Sequence, residues 1–256
     1  MAYRVAAGGA SIEVIAEGKG PLVVILPSRG RGAEDYDEVA RAIAKAGHRV
    51  LRPQPRGIGR SQGPMQGLTL HDFARDVAAV IEHAKTGAAI LVGHAFGNWV
   101  ARMTAADYPR LVRGVAILAA AAKTCPKELA EAVTKCADIS LPDTERLKYL
   151  QFAFFAPGHD ASEWLEGFYP KVNESQRAAG LATPQEAWWG AGNAPLLDLQ
   201  AERDAFRPRE TANDLREEFG ERVSVAVIPD AGHALVPEQP AAVVAGLLGW
   251  MRTLPA

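Results

Sequence analysis

Two places in this chain hold residue types in surroundings that could do chemistry: His233 and the run Gly93-His94-Ala95-Phe96-Gly97. His233 follows an apolar strand pattern (residues 223–228) in the glycine-containing loop Pro229-Asp230-Ala231-Gly232-His233. A histidine held there can take and return protons over the end of a sheet. The run 93–97 lies between an apolar strand pattern (88–92) and a helical pattern that begins at Asn98. A strand, a glycine-flanked turn and a helix in succession lift the middle residue above the sheet. That residue is Ala95, whose methyl group offers no nucleophile. His94, one position before the apex, reads as structural and pointing away from a ligand. His48, His71, His83 and His159 have no carboxylate or cysteine at metal-ligand spacing, so neither a metal site nor a cofactor is expected.

Alternating strand and helix patterns must position these groups. Residues 3–7 and 11–17 read as a hairpin joined by Gly8-Gly9. Residues 22–26 are a continuous apolar run, as in strands buried on both faces of a parallel sheet. Tyr36, Val39, Ala40, Ile43 and Ala44 share one helical face, and Gly47 ends that helix. A short strand at 48–52 follows, then a helix N-capped by Thr69 with Phe73, Val77, Val80 and Ile81 in phase. Strands at 88–92, 114–119, 195–199 and 223–228 and helices at 98–107, 209–219 and 239–253 complete the pattern. This rhythm predicts an α/β fold, a mostly parallel, doubly wound sheet of about eight strands. Ligands of such sheets bind beyond the carboxyl ends of the strands, which puts residues 27–32, Ala95 and the later loops on one side.

Between residues 123 and 192 the rhythm breaks. No strand pattern stands out there, and Pro142, Pro157, Pro170 and Pro184 divide the segment into short helical pieces. It holds nine of the 18 aromatic residues, enough to wall an apolar pocket. The segment reads as a helical lid (123–192) inserted into a core formed by residues 1–122 and 193–256. Phe155, Trp164 and Trp188 are its candidate substrate-binding side chains. The 256 residues carry a net charge of -2 with no long like-charged run, which disfavours nucleic acid and anionic membranes as partners. Cys125 and Cys136 form no Cys-x-x-Cys pair and read as thiols of a reducing, cytoplasmic compartment. The expected partner is a small-molecule substrate; a homodimer is left open.

Several motifs together make the chain resemble the α/β-hydrolase superfamily along nearly its whole length. The apex run resembles the Gly-x-Ser-x-Gly nucleophile elbow, with Ala95 at the serine position. Arg52-Pro53-Gln54-Pro55-Arg56-Gly57-Ile58-Gly59-Arg60-Ser61 is similar to the family's Pro-Asp-x-x-Gly-x-Gly-x-Ser loop, with Gln54 for the usual aspartate. The loop ending in His233 resembles the one that delivers the catalytic histidine. The stretch Pro195-Leu196-Leu197-Asp198-Leu199-Gln200-Ala201-Glu202-Arg203-Asp204 resembles the strand and loop that end in the acid. The resemblance implies that Asp204 orients the imidazole, with Glu202 and then Asp198 as alternatives. It also implies an oxyanion hole from the backbone N–H of Phe96 and one from the loop after residue 26. The family commonly has His-Gly in that loop; here Pro27-Ser28-Arg29-Gly30 makes the N–H of Arg29 the matching donor. The Arg29 side chain reads either as a clamp for a carboxylate or enolate or as solvent-facing. Ser28 reads as a loop residue beside the site rather than a substitute nucleophile.

The alanine admits two origins. An inactivating replacement of a catalytic serine changes one residue and leaves binding intact. Divergence changes more, and here the apex, the oxyanion loop and position 54 all depart from the family pattern. A divergent site would retain a His233–Asp204 base for water or for an acidic ligand. The expected ligand is a small, largely hydrophobic ester, lactone, amide or β-diketone. A protein that binds such a compound without turning it over is the alternative.

Overall fold

Leu22–Leu26 is apolar at every position because the strand it forms, β3, is covered on both faces. A computed structural model describes residues 1–255. Before β3, β1 (Ala2–Ala7) and β2 (Ala10–Glu17) form the antiparallel hairpin anticipated from Gly8-Gly9. After it come β4 (Arg49–Pro53), β5 (Ala89–His94), β6 (Val112–Leu118), β7 (Leu196–Ala201) and β8 (Val223–Ile228). The eight strands form one sheet in the order β1-β2-β4-β3-β5-β6-β7-β8. From β4 to β8 every pairing is parallel, while β2 pairs with both β1 and β4 antiparallel.

Helix α1 (Asp37–Lys45) follows a 3-10 turn at Ala33–Tyr36. Helix α2 (Leu70–Ala84) starts at Thr69, whose N–H donates to the Asp72 carboxylate at 2.9 Å in a capping box. A cap of this kind contributes about 1 kcal/mol. Helix α3 (Phe96–Asp107) leaves the apex of the turn. Four helices occupy the chain between β6 and β7: α4 (Lys127–Cys136), α5 (Asp143–Ala153), α6 (Pro170–Ala182) and α7 (Gln185–Trp188). The expected helix 209–219 is broken into a 3-10 turn, Arg209–Thr211, and α8 (Asp214–Phe219). Helices α9 (Leu235–Glu238) and α10 (Pro240–Met251) close the chain. On one face of the sheet, Val39 and Ile43 of α1 pack with Val243 and Leu247 of α10 over Val23, Ile25 and Val92. On the other, Val77 and Ile81 of α2 and Val100 of α3 cover Val24, Leu26 and Leu91. No helix among the described residues is long and apolar enough to cross a membrane.

The helical insertion grips the loop after β3. Arg31 is buried and its guanidinium is held by both carboxylate oxygens of Asp35, at 2.6 and 2.9 Å. It also donates to the carbonyls of Trp164 and Glu166 at 3.1 and 2.6 Å, and lies 4.7 and 4.6 Å from the ring centres of Trp164 and Phe168. Such a charge-assisted, ring-enclosed arginine fixes the insertion against the core. The Gly30 N–H donates to Gln176 of α6 at 2.7 Å, and the Tyr169 N–H donates to the Gly30 carbonyl at 2.9 Å.

Candidate active site

Strand order reverses at β3, since the chain goes from β3 outward to β4 and then crosses back to β5. Ligands of doubly wound sheets sit at that reversal. Leu26 is in register with Gly93, so residues 27–29 leave β3 beside residues 94–96. Farther along the same edge, His94 is level with Leu118, Leu118 with Leu199, and Ala201 with Ile228. The loops that carry Asp204 and His233 therefore start from the same edge as Ala95.

Ala95 takes φ 48° and ψ -113°, a region that costs a non-glycine residue on the order of 1–3 kcal/mol. Three contacts hold it there. Its N–H donates to the Leu118 carbonyl at 3.0 Å, and its carbonyl accepts from the Asn98 N–H at 3.1 Å and from the Asn98 side chain. Gly97 is required by close approach: a Cβ there would lie 2.2 Å from the Leu26 carbonyl oxygen. The elbow geometry is thus fully built around a methyl group. At the start of α3 the Phe96 N–H has no partner within the helix, as for any first-turn donor. In the opposing loop, the Ser28 N–H donates to the Tyr36 hydroxyl at 2.9 Å, whereas the Arg29 N–H bonds to no other described residue. The N–H groups of Phe96 and Arg29 are thus left without a partner among the described residues.

His233 Nδ1 lies 3.0 Å from each carboxylate oxygen of Asp204. A carboxylate only accepts, so it takes the Nδ1 proton and leaves the lone pair on Nε2. The Phe206 N–H holds Asp204 Oδ1 at 2.8 Å. Arg207, paired with buried Asp198 at 2.9 Å, anchors the same loop. Glu202 is turned elsewhere and accepts the Asp230 N–H at 3.1 Å. Of the three acids considered from the sequence, Asp204 alone meets the histidine. Around His233, Glu238 accepts from the Gly232 N–H at 2.7 Å and from the Ala156 N–H at 2.6 Å, tying this loop to the insertion. Gly232 lies so close to the insertion that a Cβ would stand 2.6 Å from the Phe154 carbonyl oxygen.

His94 is fully buried and joins the two loops from beneath. Its Nε2 is 2.7 Å from the His233 carbonyl, which must accept, and its Nδ1 is 2.8 Å from the Tyr36 hydroxyl. Proton directions follow: the Ser28 N–H donates to Tyr36, the Tyr36 hydroxyl to Nδ1, and Nε2–H to the His233 carbonyl. Burial, reinforced by His233, pushes the His94 imidazole down to about 3. In the unfolded chain the ring takes up a proton below its ordinary 6.5; in the folded chain it stays neutral to about 3. Stability from this group is complete above the unfolded value and is lost as pH falls from 6.5 towards 3, by about 1.4 kcal/mol per unit. Urea unfolding at pH 7 and 5 is expected to show about 2 kcal/mol less pH dependence in His94→Gln than in the unaltered protein. Equal dependence would remove this assignment.

A cavity of about 360 Å³ opens over these groups. Ser28, Arg29, Ala95, Phe96 and His233 line it, as expected for the core side. The aromatic walls differ from expectation. Phe155, Trp164 and Trp188 are not in the lining; Trp99, Phe154 and Phe206 are. Phe155 meets Trp164 edge-on at 5.7 Å within the small core of the insertion, Trp164 covers Arg31, and Trp188 stacks on Trp99 at 5.0 Å. The physical reason is that Phe154 and Phe155 lie just past the end of α5 (Asp143–Ala153), where no helical phase chooses one over the other. Trp99 had a signal, since it sits in the first turn of the helix that leaves the apex. Arg177, Cys125 and Phe206, also in the lining, carried no such signal. Among the described residues no group of three His, Cys, Asp or Glu side chains is placed to hold a metal ion.

A histidine–carboxylate pair and a strained strand-to-helix turn gathered at the strand reversal of a doubly wound sheet are the layout of an α/β hydrolase. The model of the alpha/beta hydrolase fold family matches residues 21–164, and the chain belongs to that family of hydrolytic enzymes. It is 27% identical to a putative carbamate hydrolase RutD of Variovorax paradoxus over 87% of this chain and 88% of that protein. Among solved structures, it superposes on the putative non-heme bromoperoxidase BpoC of Mycobacterium tuberculosis with a TM-score of 0.80, at 22% identity over 96% of this chain and 97% of the other. An esterase of Exiguobacterium antarcticum gives a TM-score of 0.82 at 18% identity over 99% of this chain and all of that one.

Proposed function

We propose that the chain is an enzyme in which the His233–Asp204 pair acts directly as base on a small, largely apolar carbonyl compound, with no acyl-enzyme. The substrate is an ester, lactone, amide or β-diketone. The observation that carries this reading is the paired imidazole, 3.0 Å from both Asp204 oxygens, in the same cavity as a mute apex. His233 Nε2 takes a proton from water; the hydroxide adds to the carbonyl carbon; the N–H groups of Phe96 and Arg29 hold the oxyanion. Collapse expels the leaving group, which takes the proton back from the imidazolium. Residues 123–192 serve as a cap over the core 1–122 and 193–256, and the free thiols of Cys125 and Cys136 agree with the cytoplasm.

Divergence is the better-supported origin of the alanine. Gln54 is not a loose substitute for aspartate: its Oε1 accepts the Ala33 N–H at 2.9 Å while its Nε2 donates to Glu34. An aspartate would have no donor for Glu34, so the departure at position 54 is matched by a neighbour.

The test is turnover of a panel of phenyl esters, lactones, anilides and β-diketones with intact-mass measurement during reaction. Slow turnover with no covalent adduct is expected. Saturable binding of these compounds with no turnover of any of them would replace this reading with that of a binding protein, which the methyl group at the apex favours.

A further inference from the structure

Arg29 brings into the cavity a charge that nothing in the chain answers. Its Nε donates to Asn173 of α6 at 2.8 Å, and its Nη2 is buried without a partner. Burial pushes the guanidinium down to about 10, and the charge of Arg177 adds to this. At neutral pH the group is still a cation. Arg177 lies four residues beyond Asn173 on the same helix and lines the same cavity. Among the described residues neither arginine forms an ion pair, and no Asp or Glu lines the cavity. The fully buried arginines elsewhere are answered, for example Arg31 by Asp35, Arg56 by Asp76 and Arg207 by Asp198. The exception, Arg102, lies against the rings of Trp188 and Trp189 and lines no cavity described above. Isolated buried charge is costly, and a paired one is the rule. Arg29 is half-buried with its Nη2 sealed from solvent and unpartnered, Arg177 is exposed, and no acidic side chain of the cavity faces either, so the site is open to an anion carried by the ligand.

We infer that Arg29 and Arg177 form a carboxylate-binding subsite, so that the substrate is a carbonyl compound that also carries a free carboxylate. The reacting carbonyl lies at Ala95 and the carboxylate at the α6 wall, with apolar atoms between them facing Trp99, Phe154 and Phe206. Arg29 then fixes both ends, by its backbone N–H at the oxyanion and its guanidinium at the acid, and a planar fork of donors suits a carboxylate. The inference rests on the reading above for the reacting end and is independent of it for the acid.

The probe is a set of α,ω-dicarboxylic monomethyl esters of four to eight carbons, each compared with its dimethyl ester by tryptophan-fluorescence titration. At least one monoester is expected to bind about tenfold or more tightly than its diester, the scale of one charge-assisted contact. Arg177→Gln, at an exposed position, should reduce that preference to less than about threefold; Arg29→Lys should retain part of it. Because Arg29→Met removes the bond to Asn173 and can loosen the fold, the Arg177 variant decides. No monoester preferred over its diester, or a preference that survives Arg177→Gln, would overturn the subsite. Hydrolysis of both ester types with equal affinity would leave the carbonyl chemistry standing without it. An arginine-dependent preference with no turnover would do the reverse.

Discussion

Replacing His233 by alanine is expected to lower turnover of a responsive ester or lactone by about 10²–10⁴-fold, with a much smaller change in KM. In the proposed mechanism this ring is both the base that activates water and the acid that serves the leaving group, so no other side chain would inherit either task. Asp204→Asn should be nearly as damaging despite its unchanged shape. The carboxylate now accepts the Nδ1 proton at 3.0 Å. A carboxamide can present its N–H to Nδ1 instead, which drives the proton to Nε2 and removes the lone pair that faces the substrate. Groups that act as a unit lose their effects together. The double variant should therefore be no worse than His233→Ala alone. Turnover unchanged in His233→Ala, with circular dichroism matching the parent, would dismiss the histidine as base.

Much of this site could be read from the chain because the residues that build it obey local rules. Continuous apolarity at 22–26, two-glycine turn chemistry at Gly8-Gly9 and the Thr69 cap each follow from backbone or hydration physics within a few residues. The apex at Ala95, the histidine loop and the carboxylate loop sit at strand ends, which apolar runs mark clearly. What the chain withheld depends on packing between distant segments. The insertion is a set of short, proline-separated helices whose faces are set by Arg31, Glu238 and the loop after β3, not by their own periodicity. That is why the lining falls to Phe154 and not Phe155, while Trp164 and Trp188 pack on Arg31 and Trp99 instead. His94 is instructive in the other direction. Sequence position alone made it structural; the Tyr36–His94–His233 relay says what it holds together, namely the two loops that must stay in register for any chemistry.

Ala95→Ser is expected to raise hydrolysis of p-nitrophenyl acetate and hexanoate by at least about a hundredfold, a modest part of the roughly millionfold that a complete serine apparatus supplies. A serine at the apex would share its cavity with the Asp204-paired His233. The apex already holds the strained φ of 48°, at a cost on the order of 1–3 kcal/mol, so the substitution asks for no new backbone conformation. The Ala95 Cβ and the His233 ring share one cavity, and Phe96 and Arg29 keep unengaged N–H groups beside it. An added hydroxyl brings one oxygen to a position whose surroundings are already arranged for it. The gain should depend on His233, since a serine hydroxyl without its base is a poor nucleophile; Ala95→Ser combined with His233→Ala should fall back to the level of His233→Ala. A fluorophosphonate provides a second reading that needs no turnover. The serine oxygen forms a bond to phosphorus as fluoride leaves, and the protein gains the corresponding mass. Ala95→Ser should be labelled at that residue, while the parent, with a methyl group there, should stay unlabelled at it. Neither gain nor labelling, in a variant that remains folded, would mean that the His233 Nε2 does not reach the apex. The direct action of the same nitrogen on water at a carbonyl held there would then lose its geometric basis as well.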